Sequence, residues 1–95
     1  LRIATATSYA LNYANADYLL YSTDTGGTIT LTSVPVGRIV YFRVNNTHST
    51  TAFNVVIPDS IGDPSPAVVP PLATVIFEIF YNGTDYAITY DGALS

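Results

Sequence analysis

The chain has 95 residues and a formal net charge of −4, from seven acidic residues against three basic ones, and Arg2, Arg38 and Arg43 are the only basic residues besides a single histidine. Three scattered arginines cannot form the basic stripe that displaces counterions from phosphates, which argues against nucleic acid and an anionic membrane surface as partners. Without cysteine there is no disulfide framework or thiolate metal site, and no run approaches the 18 apolar residues of a membrane span.

Hydrophobic residues make up 48% of the chain and charged residues only 11%. A domain of this size hides a little over ~60% of the surface its unfolded chain exposes, so much of the remainder must be apolar or lie against another chain. Burial against another chain is the expectation. The sequence opens on Leu1 rather than Met. It is therefore expected to be one β-domain, residues 1–95, processed or cut from a longer polypeptide.

Apolar residues at helical spacing are absent, and strong helix formers are scarce. Strand grammar fills the chain instead. Ser8–Asn12 is a short strand with Tyr9 and Leu11 on one face, and Asp17–Ser22 a second. The segment Asp24-Thr25-Gly26-Gly27 turns the chain into Thr28–Thr32, where Ile29 and Leu31 point inward. Val34-Pro35-Val36-Gly37 leads into the almost continuously apolar run Arg38–Asn45. Thr51–Ile57 sets Phe53, Val55 and Ile57 on one face, and Pro58–Pro71 is a proline-rich loop with no room for a long strand. Ala73–Tyr81 and Tyr86–Tyr90 flank Asn82-Gly83, whose tolerance of positive φ marks a hairpin.

Two of these strands are apolar on both faces. Ala73–Tyr81 carries Val75, Phe77, Ile79 and Tyr81 on one face and Thr74, Ile76, Glu78 and Phe80 on the other. Arg38–Asn45 carries Ile39, Tyr41 and Arg43 on one face and Val40, Phe42 and Val44 on the other. So small a domain has little material for a second covering layer, so one face of each strand is expected to pack against a neighbouring subunit. Phe42, Ile76, Glu78 and Phe80 are the expected interface residues.

Candidate chemistry is thin. Asp24-Thr25-Gly26 resembles the motif of small dimeric aspartic proteases, whose two carboxylates share a proton. Its context differs, with Ser22 and Thr23 before it and Gly27 after it, and a surface turn in which Asp24 bonds its own backbone is expected. His48, the only histidine, lies in the polar run Asn45–Thr51 and is expected in solvent rather than beside a nucleophile. Glu78, mid-strand among Ile76, Phe77, Ile79 and Phe80, is expected to pair with Arg43 or Arg38 of a neighbouring strand or subunit rather than to act as a catalytic acid. Asp59-Ser60-Ile61-Gly62-Asp63 has too few acids for a calcium loop. Asn45-Asn46-Thr47 and Asn82-Gly83-Thr84 match the N-glycosylation pattern, in segments read as hairpin turns. Tyr9, Tyr13, Tyr18 and Tyr21 would serve as a sugar-stacking platform or, as expected here, as ordinary half-buried strand residues. No catalytic residue, metal ligand or cofactor is expected.

The segments also follow a familiar order. Tyr9-Ala10-Leu11, Tyr18–Asp24 and Thr28-Ile29-Thr30-Leu31 are followed by Pro35-Val36-Gly37-Arg38 and the apolar run Ile39–Val44. Val55-Val56-Ile57, Thr74-Val75-Ile76-Phe77 and Gly83-Thr84-Asp85-Tyr86 complete the series. In this order and spacing the chain resembles the small β-domains of bacteriophage virion appendages: tail fibres, head fibres and capsid-decorating proteins. The proline-rich Pro58–Pro71 loop departs from that pattern. The resemblance implies a homotrimeric, non-enzymatic module on the particle surface, in contact with other virion proteins. A tip domain that binds a host-surface glycan or receptor is the alternative. The expected fold is an all-β antiparallel sandwich or barrel of about seven or eight strands.

Overall fold

A computed structural model describes residues 1–61 and 66–90. Among the described residues ten strands carry the fold: β1 (Ile3–Thr5), β2 (Ala10–Asn12), β3 (Tyr18–Thr23), β4 (Gly27–Thr28), β5 (Thr30–Thr32), β6 (Ile39–Asn46), β7 (Phe53–Val56), β8 (Ala67–Val69), β9 (Thr74–Tyr81) and β10 (Tyr86–Tyr90). One 3₁₀ turn spans Asp59–Ile61, and there is no α-helix among the described residues. The all-β expectation holds.

The strands lie in two layers. One is a five-stranded sheet in the order β1-β3-β6-β9-β10; the other is built from the pair β2-β5 and the triplet β4-β7-β8. Between them lies a single apolar cluster, to which the five-stranded sheet contributes Leu19, Val40, Phe42, Val44, Val75, Phe77, Ile79 and Ile88. The opposing layer supplies Leu11, Tyr13, Ile29, Val55, Ile57, Ala67 and Val69. The molecule is flattened, 39 × 26 × 19 Å, a thickness that fits two sheets packed about 10 Å apart.

The expected antiparallel pairing is corrected. β1 with β3, β3 with β6, β2 with β5, and β4 with β7 all run parallel; only β6 with β9, β9 with β10, and β7 with β8 are antiparallel. Parallel neighbours need a crossover, usually a helix. Here strands of the second layer make the crossover: the chain leaves β1, passes through β2 and returns as β3, then passes through β4 and β5 and returns as β6. The strand count is also higher than expected. Thr28–Thr32 is interrupted at the fully buried Ile29, where the chain leaves its pairing with β7 for pairing with β2. β1 and β8 are three-residue segments at sheet edges, and β8 lies within the span read as a loop.

The hairpin expectation holds: Tyr86 pairs with Tyr81 across a loop in which Gly83 has φ 99°. The side chain of Asn82 locks that loop, its Oδ1 accepting from the amides of Thr84 and Asp85, each at 2.8 Å.

Candidate functional site

Alternation along β6 and β9 decides which side chains remain outside. Val40, Phe42 and Val44 point into the core with Val75, Phe77 and Ile79, and the rings of Phe42 and Phe77 stack with centroids 5.8 Å apart. Phe42 is fully buried within its own chain. Its expected place at a subunit interface is therefore corrected: the parity that puts it opposite Phe77 leaves nothing for a second subunit to touch.

The other three expected interface residues share the outer face of the five-stranded sheet. Register places Ile39, Phe80 and Ala87 in one row; Ile3, Tyr18, Tyr41, Glu78 and Thr89 in the next; and Thr5, Leu20, Arg43 and Ile76 in the third. Phe80 is 38% exposed and Ile39 48%, while Ile76, Tyr18, Leu20 and Tyr41 are half-buried. The exterior of the opposing layer differs in character. Along β2, β4, β5 and β7 the exposed positions include Asn12, Thr28, Thr30, Thr32 and Asn54. Strand alternation thus gives the opposing layer an exterior of hydroxyls and amides broken by the exposed Val56 and Val68, and the five-stranded sheet a more apolar one.

Two charges interrupt the apolar face. Arg43 is exposed beside a shallow hollow of about 270 Å³ lined also by Leu20, Tyr21, Ser22 and Asn45. Glu78 borders a second hollow of about 130 Å³ with Ile39, Phe80, Ala87 and Thr89. Neither makes an ion pair among the described residues, and both other arginines turn to Asp17. The expected pairing of Glu78 with Arg43 or Arg38 on a neighbouring strand is thereby corrected, neither pair forming within the chain among the described residues. Asp17 receives Nη2 of Arg2 at 3.1 Å and Nη2 of Arg38 at 3.5 Å, and these bonds, led by Arg2, hold its carboxyl well down, from 3.8 to about 2.

No protein-family model, curated protein or solved structure matches the chain.

The remaining candidates disperse. Asp24 is exposed at its turn, where the Thr23 hydroxyl rather than the expected Asp24 carboxylate accepts from a turn amide, that of Thr25 at 3.4 Å. Gly26 is needed for close approach, since a Cβ there would collide with the backbone carbonyl of Asn54. No group of three or more His, Asp or Glu side chains gathers at one place among the described residues. Gly62 and Asp63, part of the loop weighed for calcium, lie outside the described residues. His48 does not stand free in solvent: its Nδ1 accepts from the amides of Thr50 and Thr51, both at 3.1 Å, so it caps the turn after β6. Asn45 lies in β6 rather than in a hairpin turn, and its Oδ1 accepts from the Thr74 hydroxyl at 3.0 Å. The four tyrosines form no platform. Tyr9 and Tyr13 are buried, their hydroxyls donating to the carbonyls of Thr25 and Tyr41 at 2.8 and 2.9 Å, and burial pushes both phenols up. Tyr21 packs with Tyr9 and Phe42 at the core, and only Tyr18 reaches the outer face, stacked on Tyr41 at 5.4 Å.

Proposed function

We propose that the chain is a non-enzymatic structural module of a virus particle, a fibre, head-fibre or capsid-decorating domain of a bacteriophage, that works by assembling as a homotrimer. One observation carries the reading: the five-stranded sheet bears apolar side chains on both faces, and the chain covers only one of them. Contiguous apolar surface on a small domain marks an interaction site, and the opposite exterior, rich in threonine and asparagine, serves as the solvated side. Three copies turning their outer faces toward a common axis would remove Ile39, Tyr41, Ile76 and Phe80 from water. Identical partners are the economical choice, because most soluble oligomers are closed assemblies of one chain. The virion assignment, with other particle proteins as further partners, rests on the order of strand and turn segments in the sequence.

The alternative is a receptor- or carbohydrate-binding tip. The hollow beside Arg43 favours it, since Ser22, Arg43 and Asn45 gather hydrogen-bonding groups next to Leu20. A glycan array separates the two: a stem or decoration module binds nothing on it.

Phe80→Asp tests the structural reading. Its side chain stands 38% exposed on the outer face, so the single chain folds with the charge in water, while the assembly would have to bury it. Light scattering is expected to find wild type assembled and F80D monomeric with an unchanged circular dichroism spectrum. An F80D variant that assembles like wild type contradicts the use of this face.

A further inference from the structure

Any partner that covers Ile76 and Phe80 must also cover Arg43 and Glu78, which stand on the same face of adjacent strands. Arg43 lies opposite Ile76, and Glu78 lies opposite Tyr41 one step along the ladder. Each charge borders its own hollow and has no ion-pair partner among the described residues. Removing an unpaired charge from water costs several kcal/mol. An occupant that brings a carboxylate to Arg43 and a cation to Glu78 offsets that cost.

The chain itself offers both groups. It has no lysine and three arginines, two of which already hold Asp17. Arg43 is thus the one arginine without a carboxylate partner among the described residues, and Glu78 is the acid beside it on the apolar sheet. A face carrying a cationic hollow and an anionic hollow at different places within an apolar field lets the cationic part of one copy meet the anionic part of the next.

We propose that the outer face of the five-stranded sheet seats a second copy of this chain, with the guanidinium of Arg43 in one copy paired to the carboxylate of Glu78 in the next. The pair deepens the assembly reading given above and rests on it. Packing Ile39, Tyr41, Ile76 and Phe80 against the outer face of the next copy supplies the apolar contact, and the charge pair fixes register and excludes partners that lack it. Each copy offers both members of the pair, so the same contact repeats around a closed ring.

The test is a charge exchange, read by light scattering over a concentration series with circular dichroism to confirm folding. R43E and E78R each set like charges against one another in the contact, and each is expected to assemble at least about 100-fold more weakly than wild type. R43E/E78R exchanges the signs and is expected to regain assembly to within about 10-fold of wild type. High salt should weaken wild type and the double variant alike. Single variants that assemble as wild type does, or a folded double variant that stays monomeric, overturn the pairing while leaving self-assembly standing. A wild-type chain that is itself monomeric at every concentration overturns the assembly reading as well.

Discussion

Asn46 joins three segments through one side chain. It is fully buried at the end of β6, and its Nδ2 donates to the carbonyls of Thr51 at 2.8 Å and Val69 at 3.1 Å. Its Oδ1 accepts from the amide of His48 at 2.8 Å, so every polar atom of the side chain is satisfied. Because an unmet buried donor or acceptor costs more than a hydrogen bond gains, Asn46→Ala is expected to destabilise the fold by about 2–4 kcal/mol. Thermal unfolding at fixed protein concentration checks this, since each kcal/mol corresponds to roughly 4–8 °C in a domain of this size. A loss within about 1 kcal/mol would show that water replaces the side chain at no great cost. Neither this role nor that of Tyr13 was legible in the sequence. Asparagine suits turns and Tyr13 reads as a half-buried strand residue, and what buries both fully is a second layer whose position depends on topology. The inward parity of Tyr9, Leu11, Val55 and Ile57, by contrast, was legible, because alternation is a local property of a strand.

At the scale of elements, β1 depends on one carboxylate. All three of its residues are exposed, so it buries little apolar surface, and its hold on β3 comes from the backbone ladder and from the clamp of Asp17 on Arg2. The Asp17 side chain accepts from the Arg2 amide at 2.8 Å and from Nε at 3.1 Å, and the Asp17 amide donates to the Arg2 carbonyl at 2.7 Å. The folded-state carboxyl is depressed from 3.8 to about 2, so its stabilisation is fully present above the unfolded value and is lost as pH falls toward the folded one. Wild type is therefore expected to lose melting temperature between about pH 4 and pH 2, and D17N, already lowered at pH 7, to lose less across that window. Parallel pH profiles for the two proteins would remove Asp17 from this role. Strand pairing was the least legible feature at this scale. Alternation reveals that a segment is a strand, while parallel pairing of β3 with β6 depends on a crossover through β4 and β5 that no local signal announces. The β9–β10 hairpin was legible because its turn chemistry is contiguous with its strands. β8 escaped notice because three residues between Pro66 and Pro70 are too few to set a period.

At the scale of the whole molecule, composition and topology point to the same surface. With 11% charged residues the chain has few ionised groups for its exterior, and the outer face of the five-stranded sheet collects Ile39, Ile76, Phe80, Tyr18 and Tyr41. Three of the four interface residues expected from the sequence, Ile76, Glu78 and Phe80, occupy that apolar side. Phe42 does not: it belongs to the wholly apolar face Val40, Phe42 and Val44, the other face of β6 carrying Arg43, and pairing with β9 sets it opposite Phe77 beneath the second layer. The central claim is that identical chains cover the remaining face for one another. Its most direct test is the mass in solution of the purified domain at micromolar concentration, by light scattering. Three chain masses per particle is the predicted result; a single chain mass that persists as concentration rises contradicts it.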